Sequence, residues 1–228
     1  MPGRKSVKKR LDQSMVDMGF TDTVQKARAL VMAARVIVNG NLVTTAGHMV
    51  ALDAKVALDA EPEYYGRGGI KLAYALECFG ISVKSIKALD VGASTGGFTH
   101  CLLKKGASRV YAIDVGYGQL DYRLRRDSRV VVMERVNARY PFSLEDMVHV
   151  VTVDVSFISI TKVLLSAASH LVCGGVIVAL VKPQFEARRN EVGSGGVIRD
   201  PMVHARVLGR VINWAVNNGL RLRGLVLS

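Results

Sequence analysis

Apolar strand-like runs alternate with helical patterns from residue 87 to residue 228, and this alternation constrains the fold more than any other feature of the chain. Strands whose residues are almost all apolar are typical of a parallel sheet that helices cover on both faces. The sequence therefore predicts an α/β fold with a mostly parallel sheet. The predicted strands are KALDVGA, RVYAIDV, RVVVME, VHVVTVDVS, GVIVALVK and LRGLVLS. The predicted helices are GGFTHCLLKKG, SITKVLLSAASHL and PMVHARVLGRVINWAVNNG, the last with Asp200 as N-cap and Pro201 in its first turn.

The N-terminal quarter of the chain has a different pattern, with two short helical segments followed by short strands. Gly19 is predicted to end the first helix, and Thr21 is predicted to cap the second. The Asn-Gly pair in VIVNGNLVT predicts a tight hairpin. We therefore expect three parts: a small α+β module at residues 1–60, a glycine-containing linker at 61–69, and the α/β domain at 70–228.

A formal net charge of +12 favours a polyanion as partner, with nucleic acid ahead of an anionic membrane, and a merely soluble basic protein is the alternative. The basic residues of the small module would then neutralise phosphates, although a merely solvated helix face remains the alternative. The candidate RNA-binding residues are Lys8, Lys9, Arg10, Lys26, Arg28, Arg35 and, in the linker, Arg67.

Other classes of protein are disfavoured by the same sequence. Its three cysteines are widely spaced and its five histidines are scattered, which disfavours a disulfide framework or a metal site. The basic N-terminus is followed by no apolar signal region, and the apolar segment at 172–182 is too short to span a bilayer. We expect a soluble cytoplasmic protein with no metal and no membrane span.

Ligands of open parallel sheets bind at the carboxyl ends of the strands, where this sequence places Asp90, the loop GASTGG and Asp114. A dinucleotide is one candidate, but the glycines at 92, 96 and 97 lack the G-x-G-x-x-G spacing, and Asp90 would oppose its phosphates. S-adenosylmethionine carries positive charge and no phosphate, so it fits better. Asp114 is then placed to bind its ribose hydroxyls. The predicted cofactor-binding residues are Asp90, Gly92, Ser94, Thr95, Gly96, Gly97, Phe98 and Asp114.

Lys71, Asp154 and Lys182 are the predicted catalytic residues, since Asp154 and Lys182 follow neighbouring apolar strands. A crowded lysine can act as a base toward a sugar hydroxyl. Methylation of an amino group is disfavoured because DVSF lacks a Pro-Pro-aromatic sequence. Methylation at carbon five of a pyrimidine is disfavoured because the cysteines lie in apolar contexts, where they are more often inert.

Long motifs of the chain resemble a known family. RLDQSMVDMGF, KARALVMAARVIVNG and VALDAKVAL resemble the S4-type RNA-binding module. RGGIKLAYALE, LDVGASTGGFTHCLLKKGASRVYAIDVGYGQL, DVSFISI, VKPQFEA and GGVIRDPMVH resemble the hemolysin-A-like (TlyA-type) ribosomal RNA methyltransferases, which are similar to FtsJ-like ribose methyltransferases. The resemblance implies a Rossmann-like class I methyltransferase domain and methylation of a cytidine ribose 2'-hydroxyl in ribosomal RNA with S-adenosylmethionine.

The same resemblance implies a Lys-Asp-Lys-Glu tetrad, whose first three members fall on Lys71, Asp154 and Lys182. Its glutamate would follow the predicted strand LRGLVLS, where the sequence stops at Ser228, so we expect an incomplete C-terminal end. Glu186 and Glu191 do not occupy the matching motif. The alternatives are a membrane-active hemolysin-like protein and an RNA-binding protein without catalysis. The target nucleotide and the oligomeric state stay open.

Overall fold

The structure, a computed structural model, describes residues 8–32, 35–59 and 64–228. The chain divides into two compact units, Met1–Pro62 and Glu63–Ser228. The first three residues of the predicted linker, 61–63, lie outside the described residues. Its last three, Arg67 to Gly69, form the first turn of a helix in the second unit.

The described residues of the N-terminal unit form two short helices and two small antiparallel sheets. Its elements are β1 (Lys8–Arg10), α1 (Leu11–Asp17), α2 (Val24–Met32), β2 (Val36–Val38), β3 (Asn41–Val43), β4 (Met49–Ala51) and β5 (Val56–Leu58). Strand β1 pairs with β4, and β2 lies between β3 and β5. Leu11 and Met15 of α1 pack with Ala27 and Val31 of α2, and all four are fully buried. The prediction of a helix pair followed by strands is confirmed. Strand β1, which precedes the two helices, was not predicted.

Two local predictions for this unit have opposite outcomes. Asn39 and Gly40 both have positive φ, 50° and 82°, so the hairpin between β2 and β3 turns at the Asn-Gly pair as predicted. The predicted cap at Thr21 is wrong. The Thr23 hydroxyl, directly before Val24, accepts the Lys26 backbone N–H at 3.3 Å, because the N-cap oxygen must reach the third helical amide.

The second unit contains a five-stranded sheet in which every pairing is parallel. Its strand order is β10-β9-β6-β7-β8. The elements are α3 (Arg67–Cys78), β6 (Lys87–Val91), α4 (Gly97–Lys104), β7 (Arg109–Asp114), α5 (Tyr122–Arg125), β8 (Val130–Glu134), β9 (Val148–Val153), α6 (Leu164–Ala168), β10 (Leu171–Ala179), α7 (Pro183–Glu186) and α8 (Pro201–Asn217). The predicted parallel α/β sheet is confirmed.

Successive residues of each central strand enter opposite cores, as the two-residue period of a strand requires. Ala88 and Val110 join Leu72 of α3 in one core. Leu89 and Tyr111 join Val211 of α8 in the other core. Both faces of the sheet are therefore buried, which explains why the strands read as continuous apolar runs.

The strand order changes direction between β6 and β9, because β7 and β8 follow on one side of β6 while β9 and β10 lie on the other. Such a switch point opens a crevice at the carboxyl ends of the two central strands. The loops after β6 and β9 meet at that point: the Asp154 N–H donates to the Val91 carbonyl at 2.9 Å.

Three predicted element boundaries need correction. Residues 159–171 do not form one helix: a 3-10 turn, Ile160–Lys162, is separated from α6 by Val163 at φ −118°. Strand β10 ends at Ala179, so Lys182 follows the strand and begins α7 as its N-cap. Residues 222–228, predicted as a strand, have no secondary structure and no ladder partner among the described residues, so nothing holds them in a sheet. The helix starting at Asp200 is confirmed, since its Oδ1 accepts the Met202 N–H at 2.8 Å.

Candidate active site

The loop after β6 is built around glycines that no other residue would replace without strain. Gly92 has φ +83°, and a Cβ there would lie 2.7 Å from the backbone oxygen of Asp154. Gly96, the N-cap of α4, has φ +97°, and its Cβ would lie 2.1 Å from a methyl carbon of Leu124. Both positions combine a left-handed backbone with close packing, which only glycine tolerates. The two glycines therefore let the loop pack closely against its neighbours at the switch point of the sheet.

Asp90, predicted to bind the cofactor, is fully buried beneath this loop. Its carboxylate accepts hydrogen bonds from the Thr99 hydroxyl of α4 at 2.7 Å and from the Thr152 hydroxyl of β9 at 3.0 Å. Burial raises the pKa of the Asp90 carboxyl to about 6, although the two hydroxyls act in the lowering direction. In this structure the side chain joins β6 to its neighbours and faces inward.

Asp114 ends β7 beside the glycine loop and is only partly buried. Its Oδ2 accepts the Ser94 backbone N–H at 2.8 Å, and its Oδ1 accepts the Gly116 N–H at 2.7 Å. Ser94 has a positive φ of 49°, a conformation this contact helps to hold. Asp114 and Ser94, predicted separately as cofactor-binding residues, are thus directly connected.

The other predicted residues of the loop contact the segment that leads into α3. The Thr95 hydroxyl donates to the Tyr65 carbonyl at 3.3 Å. Phe98 is 5% exposed and belongs to the core, with its ring against Gly68, while Gly97 packs on the backbone of Gly69. Thr95, Gly97 and Phe98 therefore hold α4 against α3 in this structure.

Asp154 and Lys182, predicted from different strands, form an ion pair across the crevice. Lys182 Nζ lies 2.5 Å from Asp154 Oδ1 and donates to the Ser156 hydroxyl at 2.8 Å. The two charged side chains are 22% and 24% exposed, so the pair is partly shielded from water but open to a ligand. Ser156 was not among the predicted residues. Its position two residues after Asp154 in DVSF is a signal that could have found it.

Lys71 is exposed on α3, one helical turn after Gly68. A Cβ at Gly68 would lie 3.7 Å from Asp154 Oδ2, so this face of α3 borders the ion pair. Helical side chains three residues apart share a face and lean toward the N-terminus, which directs Lys71 toward Gly68. Among the described residues, none is recorded in an ion pair with Lys71.

An aromatic stack next to the glycine loop was missed by the sequence analysis. The ring of Tyr65 stacks on His100 with centroids 3.9 Å apart, and the Arg123 guanidinium lies 4.0 Å from the Tyr65 centroid. Tyr65 N–H also donates to His100 Nδ1 at 3.2 Å. The sequence gives Tyr65 as part of a linker, and only the tertiary structure brings these three side chains together.

Most of the predicted RNA-binding residues of the N-terminal unit have partners within it. Arg10 and Arg28 both bind the fully buried Asp12 carboxylate, at 2.7 and 2.9 Å, which holds the pKa of Asp12 well below its usual range. The remaining contacts are Lys9 with Asp17, Lys26 with Asp22, and the Arg35 guanidinium with the Asp59 carbonyl. Lys8 and Arg67 are exposed, and the described residues include no recorded partner for either.

None of the helices in the described part of the chain is both long and apolar enough to cross a bilayer.

Comparison with known proteins gives consistent matches. The FtsJ-like methyltransferase model matches residues 64–228, and the S4 domain model matches residues 9–56. YqxC of Bacillus subtilis, described as a candidate rRNA methyltransferase, is 45% identical over 227 residues, covering 98% of this chain and 81% of that protein. The 16S/23S rRNA (cytidine-2'-O)-methyltransferase TlyA of Mycobacterium tuberculosis is 43% identical over 225 residues, covering 96% and 83%. A solved structure described as a candidate hemolysin from Streptococcus thermophilus is 40% identical, with a TM-score of 0.71, and the match covers 96% of this chain and 82% of that one.

Proposed function

This chain belongs to the FtsJ-like methyltransferase family and carries an S4 domain, and we propose that it methylates a ribose 2'-hydroxyl of ribosomal RNA with S-adenosylmethionine. Cytidine is the proposed nucleoside, because the Mycobacterium tuberculosis relative is named for that specificity. Such a substrate places the work of the protein in the cytoplasm, on ribosomal RNA or ribosomal subunits. The observation that carries the proposal is the Lys182–Asp154 ion pair beside the glycine loop.

The residues at the switch point fit a positively charged, phosphate-free methyl donor. Residues 89–100, which include the loop after β6, contain no lysine or arginine, and the partly open Asp114 carboxylate lies beside that loop. A carboxylate favours a cation and opposes a pyrophosphate. A Cβ at Gly92 or Gly96 would collide with Asp154 or Leu124, so these glycines let the loop pack closely beside Asp114 at the edge of the crevice. When bound there, S-adenosylmethionine supplies the electrophilic methyl group.

Lys182, Asp154 and Lys71 have different roles in this proposal. Lys182 Nζ accepts the proton of the ribose 2'-hydroxyl, so that the oxygen gains nucleophilic character. Asp154 Oδ1 then stabilises the ammonium that this transfer creates, and Ser156 Oγ fixes the direction of Nζ. Lys71, exposed on α3, orients the ribose or its phosphate. Lys8 and Arg67 provide additional phosphate contacts.

Replacing Lys182 with alanine tests the proposed chemistry. Transfer of labelled methyl groups from S-adenosylmethionine to ribosomal subunits should fall by about 100-fold or more, the usual contribution of a general base. Calorimetric binding of the methyl donor should be retained, because the glycine loop is unchanged. Lys105→Ala, which removes an exposed lysine at the end of α4, is the matched control and should keep full activity.

The position of the methyl group distinguishes the proposal from its alternatives. A 2'-O-methyl group blocks alkaline cleavage of the adjacent phosphodiester, so alkaline digestion should release the label in a dinucleotide. Label in a mononucleotide would indicate base methylation and contradict the ribose assignment. Wild-type protein that binds ribosomal RNA without transferring any label would favour an RNA-binding protein without catalysis.

A further inference from the structure

The loops that follow β9 and β10 are joined to each other at three successive positions. Nearest the sheet, Lys182 binds Asp154 and Ser156. Farther out, the rings of Phe157 and Phe185 lie 5.2 Å apart, inclined by 49°. The third connection is Glu186, whose carboxylate reaches from α7 to the 3-10 turn that ends the first loop. The proposed catalytic residues Asp154 and Lys182 therefore lie at the end of this contact region nearest the sheet, and Glu186 lies at its opposite end.

The Glu186 contacts use both oxygens of the carboxylate. Oε1 accepts the Ile160 backbone N–H at 2.7 Å, and Oε2 accepts the Ser159 hydroxyl at 2.5 Å. The carboxylate is half-buried, and the Arg210 guanidinium of α8 donates to the Glu186 carbonyl at 3.5 Å. Glu186 thus fixes α7 against residues 159–160.

The first loop needs such an external restraint. Phe157 is 92% exposed and adopts φ +64°, a backbone conformation that costs a non-glycine residue roughly 1–3 kcal/mol. A strained residue persists only where its surroundings determine its conformation. Asp154 and Lys182 hold one end of the strained segment, and Glu186 holds the other.

Helix α7 transmits this restraint to Lys182 over a single turn. Lys182 is its N-cap, and the Phe185 N–H donates to the Lys182 carbonyl at 2.9 Å. Pro183, at the first helical position, fixes the backbone φ directly after Lys182. A change in the position of Glu186 therefore changes the direction from which Lys182 Nζ approaches Asp154.

We propose that Glu186 is a positioning residue for methyl transfer: its two hydrogen bonds set the Lys182–Asp154 geometry without contacting substrate or cofactor. This inference rests on the proposed function, since it assumes that Lys182 moves the proton. In this role Glu186 neither donates nor accepts a proton during methyl transfer. The shape of its side chain and its two hydrogen bonds therefore matter more than its negative charge.

Two substitutions separate these properties. Glu186→Ala removes both hydrogen bonds. Glu186→Gln removes the charge but keeps an oxygen that accepts the Ile160 N–H. Its NH₂ group donates to the Ser159 hydroxyl, which then accepts this hydrogen bond where it donates one in the wild type. Gln184→Ala, which removes an exposed side chain from the same helix, is the matched control.

Steady-state kinetics of the full-length variants tests the functional part. Glu186→Ala should lower kcat by roughly 10- to 100-fold, the size of effect expected from misplacement of a reacting group. Binding of S-adenosylmethionine should stay within about twofold, since the glycine loop is unchanged. Glu186→Gln should restore most of kcat, and Gln184→Ala should match the wild type. Equal losses in Glu186→Gln and Glu186→Ala, or full kcat in Glu186→Ala, would overturn the proposal.

Hydrogen exchange provides a readout that does not depend on methyl transfer. The Ile160 amide should exchange at least about tenfold faster in Glu186→Ala, because it loses its acceptor, and at the wild-type rate in Glu186→Gln. Unchanged protection of Ile160 in Glu186→Ala would contradict the restraint itself. If wild-type protein methylates no RNA while Ile160 behaves as expected, the proposed function fails and the restraint stands, so the two failures are distinguishable.

Discussion

At the scale of single residues, Asp90 carries an energetic cost that the sequence alone does not reveal. Its carboxyl is fully buried, and desolvation raises its pKa from an ordinary value of 3.8 to about 6 against two hydrogen bonds from threonines. The folded state therefore binds this proton more tightly than the unfolded state does. The free energy of unfolding should fall as the pH rises from about 4 to about 6, and this contribution should be constant above that range.

Asp90→Asn is predicted to remove this pH dependence. The two-unit difference between the folded and unfolded pKa corresponds to about 3 kcal/mol in total, and the variant should gain most of that over the wild type between pH 4 and pH 7. Urea unfolding followed through Trp214, the single tryptophan, reports on the unit that contains Asp90. Asp12 and other acids contribute equally to both proteins, so they cancel in the comparison. A difference in the free energy of unfolding between the variant and the wild type that stays constant from pH 4 to pH 7 would contradict a buried Asp90 carboxyl with a raised pKa.

At the scale of secondary structure elements, the contact between the loops after β6 and β9 depends on Gly92. A Cβ at this position would lie 2.7 Å from the Asp154 carbonyl and would also require φ +83° of an L-residue. Gly118 has a similar φ, +72°, but nothing lies within 4 Å of its Cβ position. The two glycines therefore have the same backbone cost and differ in packing.

Gly92→Ala should destabilise the protein more than Gly118→Ala does. The left-handed backbone alone costs an L-residue roughly 1–2 kcal/mol, which both variants share. Overpacking against Asp154 should add about 1–3 kcal/mol in Gly92→Ala. Urea unfolding of both variants gives the difference, and methyl transfer should fall further in Gly92→Ala because Asp154 is displaced. Equal stability of the two variants would mean that the β9 loop moves away without cost.

Elements whose stability is local could be predicted from the sequence. The Asn-Gly turn, the Asp200 cap and the buried strands of the parallel sheet each have short-range signals, and all are present in the structure. The predictions that failed concern elements whose structure depends on contacts with other parts of the chain. LRGLVLS has the composition of a strand, but a strand also needs a ladder partner. Residues 159–171 have the periodicity of a helix, yet the Glu186 contact at Ile160 accompanies a break into a 3-10 turn and the short helix α6.

The candidate site was predictable for a similar reason. Strand ends identify Asp90, Asp114, Asp154 and Lys182, because the carboxyl edge of a parallel sheet follows from the order of strands and helices. What the sequence could not give is the direction of each side chain. Asp90 faces inward, Ser156 joins the Lys182 ion pair, and Tyr65 stacks on His100, and each contact joins residues from different elements.

At the scale of the whole molecule, the net charge of +12 favours binding to a polyanion, and such binding weakens as the salt concentration rises. Each phosphate that a lysine or arginine neutralises releases condensed counterions, so affinity falls with salt concentration in proportion to the number of such contacts. Net charge alone and specific contacts make different predictions. Any lost cation would weaken binding slightly if only net charge acted, whereas a lost contact changes the slope of log K against log salt.

Lys8 and Arg67 are the variants that decide between these two cases, since both are exposed without a recorded partner in the described part of the chain. Lys8→Ala and Arg67→Ala should each reduce the slope of log K against log salt by about 1, measured by filter binding of the full chain to ribosomal RNA. Lys105→Ala removes the same charge from the end of α4, outside the proposed contacts, and should leave the slope unchanged. Equal changes in all three variants would mean that net charge, and not contact with phosphates, governs the affinity for RNA.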